Sequence, residues 1–313
     1  MSKHNNSYSL RDGCKALWDA SIIESLPENK RDGNVLFDDK LKVEYLQVYL
    51  TAFFFFGTVF FLWKTFFTAK QHPNYISKGE LERYEYLQLW AANCHHVLIV
   101  PIALYTMRNS ECEGSYPYMY LSDKQCFYTP DSGCVKANLV TLGYLSYDFI
   151  LYKFFMPPND LNFQTTMHHV FGVLGLGSGL LLGFGMPCSQ NIALLCEIST
   201  FFLNYRTMYT KEELNQPTPM VCQILFFITY TLIRIFFFPI SGYHILIYLN
   251  MTWDKLNTIR KMAAVFNSVN YVLMLGLNLY WYGLILKGLR KLLESNGILK
   301  PRPKKVKDGN KKE

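Results

Sequence analysis

Residues Thr165 to Arg206 read TTMHHVFGVLGLGSGLLLGFGMPCSQNIALLCEISTFFLNYR. Two apolar runs meet at Gly185-Met186-Pro187, and His168, His169, Glu197, Asn204 and Arg206 lie within these runs or at their edges. Each run approaches the ~20 residues that a helix needs to cross ~30 Å of hydrocarbon. An ionisable group at that depth costs ~2.5–3.5 kcal/mol even by insertion measurements, so each one requires a partner, a watery cavity or a task. The stretch therefore points to a membrane-spanning bundle and to the place where its chemistry is concentrated.

Working outward, the same pattern recurs along the chain. Of its 313 residues, 50% are hydrophobic, 16% aromatic and only 18% charged, which is too evenly apolar for a soluble two-domain protein. Apolar runs near residues 45–67, 86–107, 137–156, 165–184, 191–208, 220–249 and 263–286 predict an all-α membrane protein of about seven transmembrane helices. Residues 45–290 form the membrane domain, between a polar N-terminal extension (1–44) and a basic C-terminal tail (291–313). The first residues lack the apolar core of a cleaved signal peptide, so the first span is expected to act as its own insertion signal.

In the extension, Leu10, Cys14, Leu17, Trp18, Ile22 and Leu26 recur at helical steps before Pro27. This predicts a short amphipathic helix that either packs on the membrane surface or docks a protein partner. The net charge of +7 is concentrated in Lys300–Lys312 beside the last span. That placement suits anionic lipid headgroups, and no nucleic-acid-reading motif accompanies it. Membrane lipids, and protein partners at the two tails, are the expected partners; nucleic acid is not.

Positive charge from Lys287 onward predicts a cytoplasmic C-terminus, with the N-terminus on the opposite side of an odd number of spans. The loop carrying Cys112, Cys126 and Cys134 then faces the lumen, where a disulfide between two of the three is favoured over a metal site because no CxxC spacing is present. Asn250-Met251-Thr252 is a glycosylation sequon on the same side.

Three features predict packing. Gly175, Gly179 and Gly183 form a ridge at four-residue spacing that admits a neighbouring helix backbone. Pro239 is expected to kink the sixth span. Adjacent His95 and His96 point about 100° apart on a helix, so at most one is expected to lie fully on the bundle side.

Five segments taken together resemble a known family: RYEYLQLWAANCHH in the second span, YLSYDFILYKF in the third, MHHVFGVLGLG in the fourth, EISTFFLNYR in the fifth and LIRIFFFPI in the sixth. This order resembles the TLC domain family, which includes the ceramide synthases, over roughly residues 40–290. The chain looks more like the small TLC-domain proteins than like the ceramide synthases. Those enzymes follow a paired-histidine element, matched here by His168-His169, with a His-Asp element about one helix later; this chain has Cys196-Glu197 at that distance. The resemblance implies a helical bundle around a lipid-accessible cavity, a link to lipid and sphingolipid homeostasis, and residence in the endoplasmic reticulum. A mitochondrial inner membrane is the alternative location.

Asp148, His168, His169, Glu197 and Arg234 come from spans that can converge on one cavity, and Glu197 and Asn204, two turns apart, share a helix face. In a catalytic reading, Asp148, His168, His169 and Glu197 supply base and orienter, and Arg234 or Asn204 an oxyanion donor. In a lipid-binding reading, His95, Asn204, Arg206 and Arg234 line the cavity. In a structural reading, the carboxylates pair with Arg234 or histidine and fix helix register, while Arg206 snorkels to the interface. No zinc motif is present in the spacing, so neither metal nor cofactor is expected; acyl-CoA enters only as the substrate of a ceramide-synthase-like N-acyltransferase. Three functions stand: a non-catalytic protein that binds lipid or adjusts membrane lipid composition, that N-acyltransferase, and a structural subunit of a larger membrane assembly.

Overall fold

A computed structural model describes residues 39–69, 76, 78–109, 132–155, 160–182, 186–209, 216–295 and 297–300. The expected amphipathic N-terminal helix, the basic tail beyond residue 300, Cys112 and Cys126 lie outside these residues. Helices occur wherever apolar runs occur: α1 Asp39–Ala69, α2 Glu80–Arg108, α3 Ser132–Phe155, α4 Asp160–Leu182, α5 Met186–Leu194, α6 Glu197–Thr207, α7 Pro217–Thr229, α8 Phe238–Thr252 and α9 Thr258–Ser295. An eight-residue π-helix, Tyr230–Phe237, joins α7 to α8, and a 3₁₀ turn, Trp253–Lys255, follows α8. With α5–α6 as one broken crossing and α7–π–α8 as another, the chain makes the seven-span bundle that the sequence predicts.

Helix α3 is at the centre, packed on α1, α2, α4 and α5. Twelve of its residues are buried, including Asn138, Thr141 and Asp148. That position lets α3 carry more polar groups than a lipid-facing helix tolerates, because protein surrounds it on several sides. Among the described residues, four helices are long and apolar enough to cross a membrane on those grounds alone, and they fall within α1, α2, α7–π–α8 and α9. They differ in exposure: 56% of the most apolar window of α2 is buried, but only 6% of that of α9. The outward side chains of α9, such as Val265, Val269, Val272 and Leu279, are apolar and so suit acyl chains.

The main apolar core joins α1, α2 and α3 through Phe56, Phe60, Phe67, Leu87, Ile99, Tyr144 and Tyr147. Close backbone approach is needed at Gly143, where a Cβ would lie 2.7 Å from the Tyr49 carbonyl oxygen and 3.0 Å from the Phe53 nitrogen. The glycine ridge on α4 acts differently from expectation. Gly175 and Gly179 make room for amide side chains: a Cβ at either would strike Asn270 or Gln190. The Gly175 carbonyl accepts hydrogen bonds from Gln190 Nε2 at 2.7 Å and Asn267 Nδ2 at 3.1 Å. Small residues here admit polar cross-links to α5 and α9, an alternative use of the same absent side chain.

The fifth crossing breaks at Leu195-Cys196, so neither α5 nor α6, at nine and eleven residues, reaches across hydrocarbon alone. Around the break the ladder tightens to three-residue steps: Cys196 N–H donates to Ala193 O at 3.0 Å, and Ser199 N–H to Cys196 O at 3.2 Å. In the sixth crossing, the irregularity attributed to Pro239 begins before it. The Phe238 N–H donates to Ile233 O, five residues back, and Pro239 then sits in the first turn of α8, where its missing donor is harmless.

Candidate functional site

Two histidine pairs face two carboxylates within the bundle. Helix α2 carries His95 and His96, and both are buried. The expectation that only one would turn inward is thus corrected, because α2 is covered by α1 and α3 on one side and by α6 on another. His95 stacks on Tyr144, with ring centroids 4.0 Å apart and planes 10° from parallel. Its Nε2 lies 3.4 Å from Thr141 Oγ1, while Nδ1 has no hydrogen-bond partner.

His96 reaches α6. Its Nδ1 lies 2.9 Å from Glu197 Oε2, an ion-pair distance without hydrogen-bond alignment, and its Nε2 lies 3.2 Å from the Asn204 amide. The two-turn spacing of Glu197 and Asn204 therefore does what the sequence suggested: both clasp one imidazole. Arg206 falls about 200° round the helix from Asn204, half-buried in the last turn of α6, and makes no bond to this cluster among the described residues.

The second pair lies between α3 and α4. His169 Nε2 meets Asp148 Oδ2 at 3.0 Å, and the other Asp148 oxygen accepts from Gln88 on α2. Asp148 thus has a partner for each oxygen at a depth where a lone carboxylate would be strongly penalised. His168, one position earlier, packs its ring against Trp281 on α9 at 5.7 Å and has no partner for Nδ1.

Arg234 departs from the structural reading of the sequence, in which a carboxylate was one partner. Its Nε donates to Ser199 Oγ at 3.0 Å, Nη1 to Asn278 Oδ1 at 3.1 Å, and Nη2 to Thr200 Oγ1 at 2.8 Å and the Cys196 carbonyl at 3.2 Å. Cys196 is the residue at the break of the fifth crossing, and the guanidinium adds a further bond to a carbonyl that already accepts from the Ser199 N–H and hydroxyl. The ion-pair partners of Asp148 and Glu197 among the described residues are histidines, which is the other branch of that reading. Cys134, the one described member of the disulfide candidates, is buried in the first turn of α3.

An apolar groove adjoins this polar core. Met167 and Phe171 of α4 and Val272, Leu273, Gly276, Leu277 and Tyr280 of α9 enclose about 430 Å³ along an open-sided seam. The His168–Trp281 ring contact joins the same two helices outside the groove lining. Sequence reasoning missed the supporting residues Gln88, Ser199, Thr200 and Asn278. Only their polarity inside apolar runs marked them, and several unrelated amides share that mark.

The arrangement can transfer protons through histidines held by carboxylates, bind polar groups at unpartnered imidazole nitrogens, and shelter an acyl chain beside them. No curated protein matches the chain significantly. The TLC domain family matches residues 88–287, from Gln88 of the Asp148 site to Lys287 in the groove-lining helix, and the chain belongs to that family.

Proposed function

We propose that the protein binds a membrane lipid along the α4–α9 seam, with the acyl chain in the groove and a polar group at His168, and thereby adjusts membrane lipid composition without itself performing catalysis. The groove carries this reading: all seven lining residues are apolar or aromatic, and its volume falls within the ~300–1,000 Å³ of small-molecule sites. His168, on the same pair of helices through its ring contact with Trp281, has a buried nitrogen with no hydrogen-bond partner. The likeness to small TLC-domain proteins supports this reading and a location in the endoplasmic reticulum.

Gly276 opens on empty space, so Gly276→Trp fills the groove without striking the core. Purified in nanodiscs, the variant is expected to lose most of the co-purified lipid detected by native mass spectrometry while keeping the parent's melting temperature. Lipid occupancy equal to the parent's in both the Gly276→Trp and the His168→Ala chains would overturn the proposal.

One observation favours an N-acyltransferase as the second reading. His169 holds Asp148 through Nε2, which leaves Nδ1 as a lone-pair acceptor suited to take a proton from an attacking amine. That reading requires amide formation from acyl-CoA and a long-chain amine by the purified chain, abolished in His169→Ala. No such product with folded, lipid-bound protein leaves the binding function standing alone.

A further inference from the structure

We propose that His95, His96 and Glu197 bind one divalent transition-metal ion of the zinc class between α2 and α6. One nitrogen from each histidine and one carboxylate oxygen lie within 4.8 Å of one another in a buried setting. This donor set, two imidazoles and a carboxylate, is that of catalytic zinc and of facial-triad iron sites. Three protein ligands leave a tetrahedral ion one open position.

The donors already stand close together. His96 Nδ1 and Glu197 Oε2 face each other at 2.9 Å without hydrogen-bond alignment. Two donors about 2.0–2.2 Å from one ion, at the tetrahedral angle, stand about 3.3–3.5 Å apart. A small outward movement therefore converts this contact into a pair of ligands. His95 contributes the remaining nitrogen, and its Nδ1 is buried and without a hydrogen-bond partner, so we assign that atom to the ion.

The supporting groups are already in place. When a histidine ligates through one nitrogen, the other N–H is ordinarily held by an oxygen, which fixes ring orientation. Thr141 Oγ1 stands at that position for His95, and the Asn204 amide, turned so that its oxygen accepts, stands there for His96. Tyr144 stacked on His95 further limits ring rotation. Glu197, the most exposed of the three ligands, has the greatest freedom to close the remaining distance. The ligands come from helices far apart in sequence, which is why no metal motif announces the site.

The inference is independent of the lipid reading, because it concerns the α2–α6 cluster and not the α4–α9 groove. The full chain in nanodiscs, equilibrated with zinc sulfate and dialysed, is expected to retain one zinc per chain by inductively coupled plasma mass spectrometry. The cobalt-loaded chain should show the intense visible absorption of a four-coordinate ion. His95→Ala and Glu197→Gln should each weaken zinc binding by about tenfold or more, whereas His169→Gln should retain it. Zinc should also raise the melting temperature of the parent and not that of Glu197→Gln. Zinc retained equally in both ligand variants would overturn the site, as would loss in His169→Gln to the same degree. If the ligand variants fail to fold, a parent chain lacking stoichiometric zinc or giving an aqua-like cobalt spectrum overturns it, and the four-coordinate spectrum at one equivalent supports it.

Discussion

Arg234 shows how one side chain settles between function and architecture. Read in the sequence, a cation in the sixth span invites a carboxylate partner or a bound headgroup. In the bundle its donors are occupied by Ser199, Thr200, Asn278 and the Cys196 carbonyl, so it joins three crossings at the point where one of them is broken. Arg234→Met removes these bonds together and should lower stability by ~2–4 kcal/mol, since buried acceptors are left without donors. Arg234→Lys should recover only part, because an ammonium lacks the planar fork that reaches several acceptors. Thermal unfolding in detergent micelles checks both; a Met variant as stable as the parent would refute the architectural role. The histidines and carboxylates were legible as residues that need partners. Which partners they take was not, because His96 with Glu197 and His169 with Asp148 are pairings set by which helices touch, and apolar periodicity does not encode that.

Helix positions were legible because membrane insertion demands long apolar runs, and each expected span has a counterpart in the bundle. The irregularities within the spans were less so. Pro239 signalled a distortion, but the π-helix lies before it and holds the buried Arg234. Nothing local in LLCEIS required the break at Leu195-Cys196. Small residues were similarly ambiguous: the visible ridge at Gly175 and Gly179 seats amides, while the single Gly143 allows α3 to rest against the α1 backbone. Gly143→Ala places a methyl group against the Tyr49 carbonyl and should destabilise the chain by ~1–3 kcal/mol, because a backbone neighbour moves only with its whole helix. Gly283→Ala, which meets nothing within 4 Å, should be neutral or slightly stabilising. Differential scanning of both variants distinguishes close approach from a general intolerance of helical glycine replacement.

Seven crossings are expected to leave the start of α1 and the end of α9 on opposite sides of the membrane, and the basic residues Lys287, Arg290 and Lys291 near the end of α9 predict that this end is cytoplasmic. Protease added to sealed microsomes should therefore remove a C-terminal epitope without detergent; protection of the epitope would reverse the orientation. The broken fifth crossing has a consequence for biosynthesis. Helices α5 and α6 are each short, and they bring Gln190, Asn191 and Glu197 into the membrane. Gln190, Asn191 and Glu197 are answered by Gly175, Asn138, Thr106 and His96, all synthesised earlier, whereas the Ser199 and Thr200 hydroxyls take their guanidinium bonds from Arg234, which is synthesised later. The fifth crossing is therefore expected to settle in two stages, and a chain lacking that arginine to be exposed to quality control during synthesis, before a finished bundle exists to be destabilised.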